Sequence, residues 1–218
     1  MKQKNGLVLI PNYSSSHQKR AFDLLVGTIL FLSSIPAMAI IGLAIFISSG
    51  KPIIFSQQRL GKNKQIFTVY KFRTMKVGSD NKQKQLSKLN IAPAPMFKLE
   101  KDPRFTSIGY FLSRTGIDEL PQLINILKND MSLVGPRPLP IAEGTALMHD
   151  WDWRWRVKPG LFSYWVLSPQ RYKNLETWKQ LEKKTVQIAS FIEDFFVIQK
   201  IIKQQIRALH TYLPNILQ

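Results

Sequence analysis

The sequence contains no cysteine, few histidines and few acidic residues. With no cysteine in 218 residues, disulfides and thiolate metal sites are excluded. The three histidines are too scattered for their spacing to suggest a zinc site. A functional metal is therefore expected to be a hard ion that binds oxygen. Only 14 acidic residues accompany 31 lysines and arginines, which gives a net charge of +17. This excess predicts an anionic partner, whether nucleic acid, an acidic lipid surface or a phosphorylated substrate.

One long segment lacks charge altogether. Residues 24–49 are 26 consecutive uncharged and mostly apolar residues, more than the ~20 that a helix needs to cross a bilayer. Pro36 lies near the middle, where it removes one helical hydrogen bond and favours a kink or a break. Each half is then about 18–20 Å long, which is too short to cross the ~30 Å hydrocarbon core alone.

Basic residues flank this run on both sides. Residues 1–20 carry four lysines and arginines and residues 51–76 carry seven, with no acid in either flank, as is typical of cytoplasmic segments. A helix-break-helix that enters and leaves by one face satisfies both flanks, so residues 21–50 are predicted to be re-entrant. A tilted, proline-kinked span stays open as the alternative. A signal peptide is disfavoured because the apolar run continues past Ala37-Met38-Ala39.

The segment after the apolar run is typical of a β-hairpin. Residues 52–75 predict two strands joined by a turn at residues 61–63. Alternation places Lys71 and Arg73 on one face about 6.6 Å apart, which suits two phosphates, although a solvated basic edge fits equally well. The polar, proline-interrupted residues 76–98 predict a mobile loop or a short helix that could act as a lid.

The C-terminal part is rich in tryptophan and ends in an amphipathic pattern. The alternating Trp151, Trp153 and Trp155 suggest a membrane interface, whereas Trp165 and Trp178 fit a domain core equally well. Residues 187–218 show apolar side chains at helical spacing with interleaved cations, which predicts an amphipathic helix. This helix packs either on the core or in the plane of the lipid headgroups.

Two adjacent carboxylates precede a helical pattern. Pro121 suits the first turn of a helix, so Asp118 and Glu119 are predicted at its positive end, where an ionised carboxylate is favoured. Simple helix capping is the alternative. Arg114 lies just before the pair, and Arg137 lies between two prolines that stiffen its backbone. Arginines and a magnesium ion would neutralise a phosphate so that a carboxylate could attack it.

Four motifs together resemble the monotopic phosphoglycosyl transferase family of bacterial sugar transferases. They span residues 19–160 and read KRAFD, QQRLGKNKQIFTVYKFRTM, KDPRFTSIGYFLSRTGIDELPQLINILKNDMSLVGPRP and RVKPG. The resemblance implies a re-entrant N-terminal helix broken near Ser34 and Pro36. It also implies transfer of a sugar phosphate from a nucleotide diphosphate sugar to polyprenyl phosphate on the cytoplasmic face of the inner membrane.

The same resemblance implies roles for particular residues. Asp118 would be the nucleophile that forms a phosphosugar-enzyme intermediate, Glu119 would assist with Mg²⁺ or proton handling, and Arg137 would bind phosphate. The sequence departs from the family pattern at Gly116, where serine is usual, and at Asn129, where glycine is usual. It departs further after Gly160, where LFSYWVLSPQR replaces the usual motif, so the sugar cannot be assigned.

The patterns together predict a mixed α/β (α+β) membrane-associated enzyme with a small antiparallel sheet or hairpin and several interfacial amphipathic helices. The predicted segments are a basic N-terminal segment over 1–20, the re-entrant helix over 21–50, a cytosolic catalytic domain over 51–186 and the amphipathic helix over 187–218. Expected partners are a UDP-sugar, polyprenyl phosphate and anionic lipids. Polyprenol length, pathway and oligomeric state stay open.

Other functions fit the sequence less well. A nucleic-acid-binding protein would also be basic, but the sequence has neither zinc-finger spacing nor an RNP-like motif, so no nucleic-acid partner is expected. A conventional glycosyltransferase is suggested only by the D-x-D string at residues 150–152, and no glycine-rich nucleotide-binding motif supports it. A catalytically impaired homologue that acts as a membrane scaffold is the third possibility.

Overall fold

The computed structural model describes residues 8–213, so parts of the predicted N-terminal and C-terminal segments lie outside it. Its architecture is mixed α/β, as predicted. The helices are α1 His17–Ser49, α2 Ser107–Thr115, α3 Leu123–Leu127, α4 Ile141–Ala146, α5 Tyr164–Leu167, α6 Leu175–Gln187 and α7 Phe191–Tyr212. The strands are β1 Ile54–Leu60, β2 Ile66–Phe72, β3 Ser132–Val134, β4 Leu139–Pro140 and β5 Gly160–Phe162. Short 3-10 helices fill several connections.

The apolar run forms one element rather than two separate half-helices. The backbone of α1 stays helical through Ser34 and Pro36. The Ser34 hydroxyl donates to the Phe31 carbonyl at 2.9 Å, a local bond that serine makes within a continuous helix. The apolar side chains along α1 are largely exposed, with Ile47 at 75%. A helix of this length and exposure is suited to insertion in a bilayer.

Both halves of α1 nevertheless pack on the same domain. In the first half, Phe22 is buried among Leu123, Ile126 and residues of α7, while the Arg20 guanidinium donates to the carbonyls of Ile126 and Leu127. In the second half, Ile45 is fully buried against residues of β2 and α2. Residues near the two ends of α1 thus contact the same domain.

The predicted hairpin is confirmed. Strands β1 and β2 pair antiparallel from Ile54 opposite Phe72 to Leu60 opposite Ile66, and β4 adds to the other edge of β1 in the order β2-β1-β4. The connection is longer than the predicted turn, because it contains a 3-10 helix at Lys62–Lys64. Strands β3 and β5 form a separate parallel pair.

The tryptophans form a core rather than an interfacial belt. All five are buried, and they pack with Leu60, Leu139 and Val186 in one cluster. The sequence prediction of an interface for Trp151, Trp153 and Trp155 was therefore wrong. Alternation with charged residues misled it, because a 3-10 helix at Asp152–Arg156 turns each indole inward.

Two further predictions change in detail. Residues 76–98 contain short 3-10 helices, and Asn90 fastens the segment to itself by hydrogen bonds to Ala92, Met96 and Lys98.

The amphipathic C-terminal pattern divides, since α6 ends at Gln187 and α7 begins at Phe191. One face of α7 is buried through Val197, Ile198 and Ile201, while a second apolar face is exposed. The exposed residues of that face are Phe191, Ile192, Phe195, Phe196, Ile202 and Ile206.

Candidate active site

The acid pair lies in a 3-10 helix that follows a sharp change of direction. Gly116 ends α2 with φ 73°, a left-handed conformation that glycine adopts without strain. The 3-10 helix Ile117–Gln122 then carries Asp118 and Glu119 in its first turn and leads into α3. The predicted helical run is confirmed, but it begins at Ile117 and includes both acids rather than following them.

Asn125 fixes this helical run to the hairpin. It is fully buried, its amide donates to the Thr68 carbonyl at 2.6 Å, and its side-chain oxygen accepts from the Tyr70 amide at 3.3 Å. The helix therefore substitutes for a further strand at the edge of β2. This contact brings Glu119 to Lys71, whose Nζ lies 2.5 Å from Glu119 Oε1.

The two carboxyl groups have opposite electrostatic environments. Burial raises the pKa of Asp118 to about 7. The positive charges of Lys71 and Arg137 oppose this rise, and the negative charge of Glu119 adds to it. Burial also disfavours ionised Glu119, but Lys71 and Arg137 outweigh it and lower the pKa of Glu119. The expectation that the helix terminus keeps Asp118 acidic was wrong, because desolvation is the larger effect. Paired carboxyl groups with divergent pKa values are typical of divided catalytic roles.

Arg137 has a fixed backbone and a free guanidinium. Its backbone amide donates to the Glu182 carboxylate and its carbonyl accepts from Arg154. Within residues 8–213 the guanidinium makes no hydrogen bond, and it lies over the Trp165 ring at 4.7 Å from the centroid. Although its burial opposes charge, nearby acids led by Glu119 raise the pKa of Arg137. A charged, unoccupied guanidinium is available to an anion.

A cleft of about 240 Å³ joins these groups. Its charged lining residues are Lys71, Lys98, Arg114, Asp118, Glu119, Arg137 and Arg171. Five cations thus line it with two acids, a balance that favours a substrate carrying several negative charges. Burial, followed by the charges of Arg137, Arg114 and Arg171, lowers the pKa of Lys98, so these cations repel one another.

The structure places three of the four predicted phosphate-binding residues in the cleft. Arg114, Lys71 and Arg137 line the cleft, although one Nη of Arg114 also donates to the Glu100 carbonyl at 2.9 Å. Arg73 does not line it. Strand β2 ends at Phe72, and the Arg73 guanidinium turns to the C-terminal end of α1, where Nη2 donates to Ser49 and Gly50. Its role there is to satisfy helix carbonyls.

Sequence reasoning missed several residues of the site. Lys98, Trp165, Arg171 and Tyr172 come from the loop before α2 and from the divergent segment after Gly160. Arg59 was missed as well: its Nη1 donates to the Pro138 carbonyl at 3.0 Å. Burial and the charge of Arg137 lower the pKa of Arg59 to about 10. For the segment after Gly160, the only signal in the sequence was the three aromatic residues and one arginine between positions 164 and 172.

The two carboxylates of the acid pair suit a magnesium ion that also binds water and substrate phosphate, rather than a metal ion bound by protein side chains alone. Among the described residues, no group of three or more histidine or acidic side chains gathers. Asp118 accepts no hydrogen bond from another side chain of residues 8–213, and burial raises its pKa despite the opposing charges of Lys71 and Arg137. Magnesium commonly takes one or two carboxylates and completes its shell with water and substrate phosphate. Asp118 and Glu119 fit that pattern.

The D-x-D string does not contribute to the cleft. Asp152 is exposed and lies 3.4 Å from Lys64 in the hairpin connection, and the Trp151 between the two acids is buried in the tryptophan cluster. The string therefore has a structural explanation, which removes the one feature that suggested a conventional glycosyltransferase.

Asn129 occupies a position that explains its substitution. It follows α3 with φ 72°, a left-handed conformation that glycine and asparagine adopt most readily. The Lys158 ammonium donates to its side-chain oxygen. Asn129 and Gly116 thus both lie in left-handed turns of this chain that suit their residue types.

Comparison with known proteins gives a consistent result. The sequence profile described as bacterial sugar transferase matches residues 14–208. The galactosyl transferase CpsE of Streptococcus agalactiae serotype III is 41% identical over 80% of this chain and 38% of its own length. The undecaprenyl-phosphate galactose phosphotransferase of Salmonella typhimurium is 34% identical over 89% and 41% of the two lengths. The exopolysaccharide production protein ExoY of Rhizobium meliloti is 31% identical over 84% and 83%. The chain thus spans about two fifths of the first two relatives and most of the third.

Proposed function

The chain belongs to the bacterial sugar transferase family, and from this premise we propose that it transfers a sugar 1-phosphate from a UDP-sugar to polyprenyl phosphate. The observation that carries the proposal is the buried acid pair in a cleft with five cations, next to a helix suited to a membrane. A water-soluble donor with two phosphates and a lipid acceptor with one phosphate both need such a cleft. Transfer of this kind initiates the assembly of a glycan, as the names of the relatives suggest.

The proposed reaction has two displacements. In the first, an Asp118 carboxylate oxygen forms a bond to the sugar-bearing phosphorus, and the bond from that phosphorus to the oxygen of UMP breaks. In the second, an oxygen of polyprenyl phosphate attacks the same phosphorus and Asp118 leaves. A pKa of about 7 leaves part of Asp118 ionised at neutral pH and makes the ionised form more basic, hence more nucleophilic, than an exposed aspartate.

The other residues of the cleft position and neutralise the reacting phosphates. The free guanidinium of Arg137 is suited to hold two phosphate oxygens at once, while Lys71 keeps Glu119 ionised and close to Asp118. Lys98, Arg114 and Arg171 also line the cleft, and they would bind the rest of the donor. Mg²⁺, when bound by Asp118 and Glu119, would neutralise phosphate charge in the same place.

Contacts of α1 support a re-entrant arrangement. A helix that crosses the bilayer places its ends on opposite faces, yet Arg20 and Ser49 of α1 both bind the domain that carries Asp118. We therefore propose that both ends lie on the face of that domain, which the basic flanks predict to be cytoplasmic. The exposed apolar face of α7 and its cations would rest on anionic lipids of the same leaflet.

Cysteine labelling tests this topology. Because the chain has no native cysteine, single substitutions Ser15→Cys and Lys64→Cys report the two flanks. Both are expected to stay protected from a membrane-impermeant thiol reagent in intact cells and to react after lysis. Labelling of Ser15→Cys from outside, with Lys64→Cys protected, would contradict the re-entrant arrangement.

Product analysis tests the reaction itself. Membranes that contain the protein, Mg²⁺ and polyprenyl phosphate are incubated with a panel of UDP-sugars, and the released nucleotide is identified. Release of UMP with one donor is the expected result. Release of UDP would instead identify a conventional glycosyltransferase, and no release with any donor would favour an impaired homologue that acts as a scaffold.

A further inference from the structure

A buried ion pair lies directly behind the peptide of Arg137. Glu182 of α6 is fully buried and Arg154 is 3% exposed, and Arg154 Nη2 donates to Glu182 Oε2 at 2.8 Å. Neither side chain lines the cleft. Both are surrounded by the tryptophan cluster, where Trp178 Nε1 lies 3.4 Å from Glu182 Oε1 and Arg154 lies over the Trp155 ring.

The pair holds Arg137 by both of its peptide groups. The Arg137 amide donates to the two carboxylate oxygens of Glu182 at 3.1 and 3.2 Å. The Arg137 carbonyl accepts from Arg154 Nη2 at 2.7 Å. Arg154 and Glu182, which are 17 and 45 positions from Arg137 in the sequence, thus both bind the backbone of this one residue. Each of these hydrogen bonds involves a charged group, which makes it stronger than a bond between neutral groups.

The flanking prolines cannot supply this anchorage. Pro138 restricts the conformation of Arg137, but proline has no N–H, so neither neighbour can tie the loop to the core through its own amide. The two prolines are held only through their carbonyls, which accept from the Gly160 amide and from Arg59. The charged pair adds the attachment of Arg137 itself, while the Arg137 guanidinium stays free of hydrogen bonds over Trp165. The main chain is fixed and the charged group is left for a ligand.

We propose that Glu182 and Arg154 are positioning residues that act through Arg137 and set its affinity for the phosphates of the substrate. The inference rests on the proposed function only in taking phosphate as the ligand. Stability alone does not explain the pair, because apolar residues of similar size often replace a buried ion pair without loss of stability. What apolar residues cannot do is hold the amide and the carbonyl of Arg137.

The double variant Glu182→Leu/Arg154→Met separates the two roles. It removes both charges together, so no buried charge is left unpaired, and it is expected to be destabilised less than either single substitution, although the Arg137 amide and carbonyl lose their partners. Titration of the detergent-solubilised full chain with inorganic pyrophosphate should nevertheless show at least a tenfold weaker Kd. Adding Arg137→Lys to the double variant should weaken binding by less than a further twofold, because the pair acts through Arg137.

Two variants complete the test. Val186→Ala lies in the same cluster on α6 and should lower the melting temperature while pyrophosphate affinity stays within twofold. Arg154→Lys keeps the charge pair but has a shorter side chain to reach the Arg137 carbonyl. It should therefore fold, and it should bind pyrophosphate at least threefold more weakly. If the double variant does not fold, the pyrophosphate affinity of Arg154→Lys is the test of the proposal.

Several results would overturn the proposal. Unchanged pyrophosphate affinity in the folded double variant or in Arg154→Lys would do so. So would an additive loss of pyrophosphate affinity when Arg137→Lys is added to the double variant. The proposal would also fail if Arg137→Lys alone left the pyrophosphate affinity of the protein unchanged. Because pyrophosphate binding needs no turnover, a failure of sugar-phosphate transfer would reject the proposed reaction and leave this inference to be judged by binding.

Discussion

Asp118→Asn is expected to abolish turnover, with residual activity below a few per cent. Asparagine keeps the size of the side chain but has no anionic oxygen to form the bond to phosphorus, so the first displacement cannot occur. The measurement is steady-state UMP release in the presence of the donor and polyprenyl phosphate. Activity above a few per cent would reject Asp118 as the nucleophile.

The same variant carries its own control for folding. The folded-state pKa of Asp118, about 7, lies above the ordinary value of 3.8. The stability that this difference contributes is present below pH 3.8 and is lost as the pH rises through about 7. Asp118→Asn removes this loss, so at pH 8 and without Mg²⁺ it should be more stable than the unaltered protein by roughly 2–4 kcal/mol.

The pH dependence of that difference is the check. Thermal melts at pH 4.5 and pH 8 should show a gap in melting temperature that is small at pH 4.5 and large at pH 8. A variant that loses activity and also melts at a lower temperature at pH 8 would show that Asp118 is structural rather than poised for reaction. A loss of activity together with a gain of stability is the combination expected of a functional buried carboxylate.

Arg137→Lys is expected to lower kcat/KM at least tenfold. Lysine keeps the positive charge, but it loses the planar fork that binds two phosphate oxygens and stacks on Trp165. The backbone contacts with Glu182 and Arg154 do not involve the side chain of Arg137, so the fold should be unaffected. Kinetics with a UDP-sugar at saturating polyprenyl phosphate give the value.

A matched exchange outside the cleft isolates the effect. Arg156 is exposed and does not line the cleft, so Arg156→Lys should change kcat/KM less than twofold. Equal kinetics for the two lysine variants would place Arg137 outside the phosphate-binding site.

Periodicity and local motifs were sufficient for much of the fold. Alternation with a Gly/Asn turn located the hairpin of β1 and β2, and the uncharged run located α1. Pro36 misled the prediction of a separate break. One missing hydrogen bond does not end a helix whose two halves are both held by packing, here through Phe22 and Ile45.

Long-range contacts account for what the sequence did not reveal. Strand alternation placed Arg73 beside Lys71, but β2 ends between them because Arg73 binds the end of α1. Glu182 carries no local signal at all, since a glutamate in an amphipathic helix is usually solvated. It reaches Arg137 only because α6 packs behind the loop. The pKa of Asp118 likewise depends on burial, which a motif does not encode.

The sequence alone predicted the acid pair and Arg137 as candidate site residues, and there is a physical reason for this. Adjacent carboxylates beside a proline, and an arginine between two prolines, are local patterns that constrain backbone and charge together. The remaining wall of the cleft comes from Lys98, from residues of α2 and α7, and from the segment after Gly160, where residues 161–171 depart from the usual family motif. Donor selectivity is therefore expected to reside there, in Trp165, Arg171 and Tyr172.

The most direct test of the central claim is to look for sugar phosphate on Asp118. The detergent-solubilised protein is mixed with its UDP-sugar and Mg²⁺ without polyprenyl phosphate, quenched, and examined by mass spectrometry of the intact chain and its peptides. The account predicts an added sugar phosphate on the peptide that contains Asp118, which disappears when polyprenyl phosphate is added and is absent in Asp118→Asn. Full turnover with no adduct, and no exchange of labelled UMP into the donor, would contradict it.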